Sequence, residues 1–421
     1  LLVTATCARQ WLLLLSGLGL AAAVGLSRLW PQPFLALGAG MLARSDLARA
    51  VFTDPAAFWS YQAPNFLKLA LALAGAGLIL PWSQRPAAIA LSRPRAFLSR
   101  RWPLLALGLL MLDLWLATGA FNPAVDPAPL AVEPPSITFL KTQAAHELGR
   151  ITTFESAATT KTLNANLGWL LGLQDVRGYD SIILRQYVQY MQAIEPQGQL
   201  LYNRISPFYD PASLRDPRTH LLGVRWVVTE LSLDIPGWTL IYAAPNERIK
   251  IYRNDNAFAR AFIAPAAEFV AADQLLARLT AVDLHQTVLV DDPAALAGVA
   301  TATPALGAAQ PVITSYQPNE VFIDVDLAAP GWLVLTDAYF SGWKAYTRPQ
   351  GAATEAEQAL TIWRADGNFR TVHLNAGRQT VRFKYAPLSF QLGLYTSFLA
   401  AMALFLLLGW WAWGRYYRGD S

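Results

Sequence analysis

Cysteine, histidine and charged residues are scarce in this chain of 421 residues. The single cysteine, Cys7, excludes an intrachain disulfide and a zinc site built from several thiolates. The four histidines, His146, His220, His285 and His373, are too widely spaced for a metal-binding motif. We therefore expect neither a metal site nor another cofactor.

Charged residues make up only 15% of the chain, whereas hydrophobic residues make up 54% and the mean hydropathy is +0.28. This composition is too apolar for an ordinary soluble protein and predicts membrane spans. The net charge of +4 is small for this length, and the arginines form no long basic patch. The composition therefore argues against a nucleic-acid partner and makes membrane lipid the first expected partner.

Four apolar segments are long enough to cross a bilayer core as helices, which takes roughly 20 residues each. They cover residues 11–26, 66–82, 102–121 and 390–413. A fifth apolar stretch, residues 34–42, is too short to span and fits a re-entrant or interfacial piece. Small residues in the first two segments allow close helix packing, and they are Gly17, Gly19, Ala74, Gly75 and Gly77.

The positions of the arginines orient these segments. The loop between the second and third segments is expected to be cytoplasmic because it carries Arg85, Arg93, Arg95, Arg100 and Arg101. Arg415 and Arg418, after the fourth segment, obey the same rule. We therefore expect a multi-pass plasma-membrane protein whose residues 122–387 are extracytoplasmic.

The expected fold combines a membrane helical bundle with an outer α/β region and a C-terminal antiparallel β-sandwich. Residues 1–121 hold three spans, and residues 388–421 hold the last span and a cytoplasmic tail. Residues 122–270 mix strand patterns such as "LLGVRWVVTE" and "RIKIYRND" with a helical pattern, "YVQYMQAI". Residues 271–310 give a helix, a strand and a low-complexity linker.

Residues 311–387 show the alternation of half-buried strands. In "EVFIDVDL" the apolar residues Val321, Ile323, Val325 and Leu327 share one face. Because such strands recur at short spacing with Gly and Pro between them, they predict an antiparallel β-sandwich.

Several ordered blocks, from about Asp113 to Ser397, carry a family resemblance. They include "LQDVRGYDSIILRQYVQYM", "IKIYRNDNAFARAF", "GWLVLTDAYFSGWKAY" and "NFRTVHLNAGRQTVRFKYAPLSF". Together they resemble the C-terminal half of the bacterial YfhO family, which is similar to the GT-C membrane glycosyltransferases. One departure is the stretch after "GW", where the chain reads "KAYTRPQGAATEAEQ" and lacks the family's Asp-Gly turn.

The resemblance implies transfer of a sugar from a polyprenyl-phosphate carrier to an envelope glycan or teichoic-acid-like polymer at the outer face. It also implies that the catalytic carboxylate lies upstream of Leu1, so no catalytic residue is assigned here. The alternative is a non-catalytic, membrane-anchored carbohydrate-binding or assembly module.

Two polar features qualify as candidate sites. Asp113 lies within the third apolar segment, where a carboxylate either lines a functional cleft or makes a helix-packing hydrogen bond. In "DVRGYD", Asp175, Arg177, Tyr179 and Asp180 could contact a phosphate or glycan. The interpretation favoured for that motif is a buried Arg–Asp clamp that fixes a loop.

The third candidate is "DAYFSGWKAY", residues 337–346, which packs three kinds of aromatic ring around Gly342. The favoured interpretation is a structural corner between two strands, with glycine at the bend. In the alternative, Tyr339 or Trp343 contacts a glycan through its ring face.

Overall fold

The computed structural model describes residues 2–83, 93–119, 121, 126–128, 132–157, 159, 162–297 and 310–417. The chain divides into two compact units, Leu1–Ala131 and Val132–Ser421. Arg85 and Arg418, whose charges help to orient the predicted spans, lie outside the described residues, as does the part of the low-complexity linker at residues 298–309.

The first unit is helical throughout its described elements. These are α1 (Leu2–Leu29), α2 (Gln32–Leu42), α3 (Asp46–Val51), α4 (Pro55–Ser83) and α5 (Arg93–Thr118). Segments of α1, α4 and α5 are long and apolar enough to cross a membrane, as is Leu388–Tyr416 in the second unit. Four such helices were predicted and four are found among the described residues, while α2 has the length of a shorter apolar helix.

Glycine allows α1 and α4 to pack at backbone distance. A Cβ atom on Gly17 would lie 2.6 Å from the Ala70 carbonyl oxygen, and one on Gly77 would lie 2.7 Å from the Leu14 nitrogen. A Cβ on Gly75 would meet the Leu109 side chain of α5 at 2.8 Å. Gly19 has open space instead, so its small size serves no contact here.

The second unit combines short helices with three sheets. Its helices are α6 (Pro135–His146), α7 (Leu167–Leu170), α8 (Arg185–Ile194), α9 (Pro211–Arg215), α10 (Pro217–Leu221), α11 (Ala272–Arg278) and α12 (Leu388–Tyr417). Its strands are β1 (Arg150–Thr153), β2 (Val224–Thr229), β3 (Trp238–Ala243), β4 (Lys250–Asn254), β5 (Ala261–Ala264), β6 (Ala266–Phe269), β7 (Thr287–Val290), β8 (Val312–Gln317), β9 (Glu320–Leu327), β10 (Gly331–Ala338), β11 (Trp343–Pro349), β12 (Gln358–Leu360), β13 (Trp363–Ala365), β14 (Phe369–Leu374) and β15 (Gly377–Tyr385).

The first sheet has the order β1-β2-β4-β3, with β1 parallel to β2 and the other pairs antiparallel. One face packs against α6, where Leu140 joins Ile151, Trp226 and Ile251 in a buried cluster. The opposite face contributes Val227 to a larger core that it shares with α8 to α11 and the second sheet.

The second and third sheets share one core, and their strand pairs are antiparallel except for β6 with β7. The second has the order β5-β10-β14-β13-β7-β6, and the third has the order β12-β11-β15-β9-β8. Their inner faces share one buried cluster, in which Ile323 of β9 packs with Leu333 of β10 and Val381 of β15. The prediction of a C-terminal antiparallel sheet is confirmed, and all four alternating residues of "EVFIDVDL" are buried.

The sandwich also takes strands from before residue 311. β10 is buried on both faces and pairs with β5 on one edge and β14 on the other. β6 and β7 complete the same sheet, although the sequence placed β5 and β6 in the mixed domain and β7 in the linker region. The backbone N–H and C=O groups of a buried central strand need hydrogen-bond partners on both sides. For β10, the short strand β5 supplies the partners on one side, although it is distant in sequence.

Candidate functional site

The stretch "DAYFSGWKAY" forms the end of β10, a turn and the start of β11. Gly342 has a φ of +102°, which disfavours any residue with a side chain. A Cβ there would lie 2.9 Å from Pro387 Cβ, and the Gly342 carbonyl accepts a hydrogen bond of 2.9 Å from Ala386 N. The turn is therefore packed against the two residues that lead into α12.

A cavity of about 280 Å³ opens at this turn. We call its lining the aromatic corner, and it comprises residues 339–346, Ala359, Leu360 and Ile362. Phe340 is exposed, whereas Tyr339, Trp343 and Tyr346 are half-buried. The corner thus offers ring faces together with Ser341 and Lys344 as polar groups.

Near the end of β10, two residues before the aromatic corner begins, lies the buried carboxylate of Asp337. Asp337 accepts from Arg150 Nη2 at 3.0 Å and from the Tyr316 hydroxyl at 3.0 Å, and it lies 3.1 Å from Arg370 Nη2. The Arg260 Nε is 3.6 Å away. We call these five residues the Asp337 cluster, and they join β1, β8, β10 and β14 with the residue before β5.

Three guanidinium groups surround the one carboxylate of the Asp337 cluster. Burial alone favours protonation of Asp337, but the fields of Arg260, Arg150 and Arg370 outweigh it and lower the pKa of this carboxyl. Burial and the neighbouring Arg260 lower the pKa of Arg150 to about 10. Both groups remain charged at neutral pH, so the cluster is a buried ion network with excess positive charge.

The Asp337 cluster positions the aromatic corner. The Arg370 guanidinium carbon lies 3.7 Å from the centroid of the Trp343 ring, a close cation–π contact. Gln186 of α8 donates to the Tyr339 carbonyl at 2.5 Å. One face of Trp343 is therefore occupied from within, which supports the structural interpretation of this residue.

The motif "DVRGYD" divides into a buried half and an exposed half. Arg177 donates to both carboxylate oxygens of Asp175, at 3.1 and 2.7 Å, and to Thr153 Oγ1 and the Leu163 carbonyl. Its side chain is only 3% exposed, so Asp175 and Arg177 are used internally as a clamp on the loop.

Tyr179 and Asp180 form the exposed half of that motif. The guanidinium carbon of Arg204 lies over the Tyr179 ring, 5.1 Å from the ring centroid. Both residues line a cavity of about 390 Å³. Asp180 accepts from the backbone of Ile182 and shapes the turn. These two residues are the accessible members of the predicted set.

Asp113 faces a different environment in the first unit. It lines an apolar cavity of about 330 Å³ between α4 and α5, together with Trp102, Ala72 and Leu110. The candidate span around it ends at Thr118, five residues further on. The structure thus places the carboxylate in a cleft between two helices of the first unit.

The Asp337 cluster leaves no motif in the sequence because its members are far apart along the chain. Each arginine carries a local signal, since "GRITTF", "FARAF" and "NFRTV" set a cation among apolar strand residues. A long cation inside such a strand has to find a buried anion or an aromatic face. Only the sheet order shows that all three converge on one aspartate.

The histidines have structural neighbours. His220 lies 3.0 Å from the Asn254 amide, His285 stacks on Phe258, and His373 meets the edge of Trp332. Within the described parts of the chain, His, Cys, Asp and Glu form no group able to hold a metal ion.

In comparisons with known proteins, no family model, curated protein or solved structure matches this chain.

Proposed function

We propose that this chain is the C-terminal part of a multi-pass membrane protein of the glycosyltransferase kind and that its aromatic corner binds saccharide. In this proposal the whole protein passes a sugar from a polyprenyl-phosphate carrier to an envelope glycan or teichoic-acid-like polymer. The observation that carries it is the aromatic-lined cavity, which lies beside the residues that lead into α12. A saccharide chain held close to a lipid surface fits that position.

The chemistry of the aromatic corner suits a sugar. Aromatic faces cover the apolar C–H faces of a pyranose, while polar groups such as Lys344 and Ser341 can bond its hydroxyls. Phe340 is exposed, so its ring is free to take part at little structural cost. The rigid support from Arg370 and Gln186 pre-organises the site before the ligand arrives.

One observation favours the alternative of a non-catalytic carbohydrate-binding module. None of the described residues that line the aromatic corner is Asp or Glu. Glycosyl chemistry depends on a carboxylate near the reacting bond. The corner therefore binds without catalysing, and in the glycosyltransferase proposal the chemistry belongs to a segment upstream of Leu1.

Saccharide binding is tested by titrating the detergent-solubilised chain with hexose and N-acetylhexosamine oligomers in a calorimeter. Phe340→Ala is expected to weaken binding about tenfold, equivalent to roughly 1.4 kcal/mol. Phe269→Ala is the matched control, because Phe269 on β6 is equally exposed but lies outside the corner. Absence of binding, or equal loss in both variants, would exclude a saccharide site here.

Transfer is tested separately on a full-length protein that contains this chain. Phe340→Ala should slow consumption of a labelled polyprenyl-phosphate sugar if the corner guides the acceptor. If the corner binds saccharide but the full-length protein consumes no such donor, the binding-module alternative holds.

A further inference from the structure

Three neighbouring loops of the second unit expose an unusual set of large apolar side chains. Trp169 is 89% exposed, Ile182 85% and Leu201 84%, and Leu170, Tyr179 and Tyr202 are each more than half exposed. We call these six residues the loop patch. They lie on α7, on residues 178–182 and on the turn 200–202.

Hydrogen bonds hold the three loops together. The Asn166 side chain, just before α7, donates to the Tyr179 carbonyl at 2.6 Å and accepts from the Tyr179 nitrogen at 3.0 Å. On the other side, Asp180 N donates to the Asn203 carbonyl at 3.1 Å, and Ile205 N donates to Gly178 O at 3.0 Å. The middle loop is therefore bonded to both neighbours, which places the six exposed residues on adjoining loops.

The structure gives the loop patch a fixed support. Beneath it, the buried clamp of Arg177 on Asp175 and Thr153 fixes the middle loop to β1. Single exposed leucines are ordinary on protein surfaces, whereas six large apolar residues on adjoining, tethered loops are not. A surface of this kind is expected to be covered by something apolar.

We propose that the loop patch inserts into the headgroup region of the lipid bilayer on the side of the membrane where this domain lies. Candidate spans flank the domain on both sides, and only Ala386 and Pro387 separate β15 from α12. This short tether keeps lipid at a high effective concentration next to the domain. A bilayer is thus the apolar partner that the candidate spans place next to this domain.

The composition of the loop patch matches the bilayer interface. Tryptophan and tyrosine favour the headgroup level because one end of each ring system is apolar and the other is polar. The exposed apolar side chains of Leu170, Ile182 and Leu201 would reach the outermost part of the acyl chains. Arg204, which lies over Tyr179, is placed to meet lipid phosphate.

The test places an environment-sensitive fluorophore on single cysteines of the full chain in phosphatidylcholine nanodiscs. In a Cys7→Ser background, Leu201→Cys and Leu170→Cys probe the loop patch, and Leu240→Cys on β3 is the exposed apolar control. Nanodiscs with a doxyl group near the lipid headgroup report depth by quenching. We expect blue-shifted emission and several-fold stronger quenching at positions 201 and 170 than at position 240.

Two results would overturn the proposal. Equal emission and quenching at the three positions would mean that the loop patch stays in water. A blue shift at position 201 without doxyl quenching would mean that protein, either another segment or a second copy, covers it. Neither result bears on saccharide binding at the aromatic corner, which involves other residues and another assay.

Discussion

At the scale of single residues, Asp337 decides whether the aromatic corner keeps its shape. Its carboxylate is the only anion in contact with Arg150, Arg260 and Arg370 among the ion pairs of the described residues. The remaining positive charge lies against aromatic faces, since Arg370 covers Trp343 and Arg260 lies 5.2 Å from the Tyr316 ring centroid. Such a network is stable only while the carboxylate is present.

Asp337→Asn is therefore expected to be strongly destabilising. The change keeps the side-chain shape but leaves three buried cations without their anion, which costs about 3–5 kcal/mol of unfolding free energy. Thermal unfolding of the detergent-solubilised chain, followed by near-ultraviolet circular dichroism, measures the loss.

The matched control for that change is Asp326→Asn. Asp326 pairs with Arg378 at 3.1 Å on the surface, where the two side chains are 67% and 74% exposed. Removal of this pair should change the unfolding free energy by less than about 1 kcal/mol. Similar losses in the two variants would contradict the role assigned to the Asp337 cluster.

Asp366 is a second buried carboxyl, and its protonation is linked to stability. It lies in the β13–β14 turn with a φ of +51°, and its Oδ1 accepts a hydrogen bond from Leu289 N at 2.8 Å. Burial raises the pKa of Asp366 to about 7, from about 3.9 in an unfolded chain. The folded state thus holds this proton more tightly than the unfolded state does.

Wild type is therefore expected to lose stability relative to Asp366→Asn as the pH rises. The contribution of Asp366 is fully present below about pH 4 and is lost as the pH rises through about 7, a change of about 4 kcal/mol. Asparagine cannot ionise and tolerates a positive φ, so the variant lacks this slope. Parallel curves of unfolding free energy against pH would show that Asp366 titrates normally.

At the scale of elements, strands with alternating apolar and polar residues were predictable from the sequence, whereas bulges in those strands were not. "EVFIDVDL" fixes a strand with one buried face because every second residue is apolar, and β9 has that pattern. In "LLGVRWVVTE", which contains β2, the same alternation predicts that Val224, Trp226 and Val228 share one face. Val224 instead packs in the core opposite to that of Trp226 and Val228, and the register shifts between Arg150 and Ile151 on the paired strand.

That shift is a bulge in β2, and it is visible only in the pairing of β2 with β1. Arg150 pairs with Val224 and Ile151 pairs with Trp226, so Arg225 is the extra residue.

The clamp in "DVRGYD" was predictable because its Asp and Arg are two residues apart. The Asp337 cluster was not, because its members meet only through pairing of distant strands.

Gly17→Ala tests the close packing of α1 on α4. The new methyl carbon would lie 2.6 Å from two backbone atoms, at Ala70 and Ala74, so the helices have to separate. Overpacking of this kind costs about 1–3 kcal/mol. A lowered midpoint in thermal unfolding is expected, measured in the same detergent as the wild type.

Gly19→Ala serves as the control for this element, since a Cβ at Gly19 meets nothing within 4 Å. It should leave the unfolding midpoint unchanged or raise it slightly, because alanine favours helix over glycine. Equal midpoints for the two variants would contradict the role assigned to the α1–α4 contact.

At the scale of the whole molecule, the chain alternates between segments suited to lipid and a domain suited to water. Among the described residues, four helices have the length and composition of spans, and the stretch of residues 132–385 lies along the chain between the third and the fourth. The loop patch and the aromatic corner both belong to that stretch. Which side of the membrane it occupies decides whether envelope glycan can reach it.

The arginine bias predicts that this stretch lies outside the cytoplasm, and single cysteines test it. In a Cys7→Ser background, Thr239→Cys is expected to react with a membrane-impermeant maleimide in intact cells, because Thr239 is exposed on β3. Ser92→Cys, in the arginine-rich loop and outside the described residues, should react only after the cells are lysed. Labelling of position 92 but not of position 239 in intact cells would reverse the topology, and a glycan partner on the outer face would then be excluded.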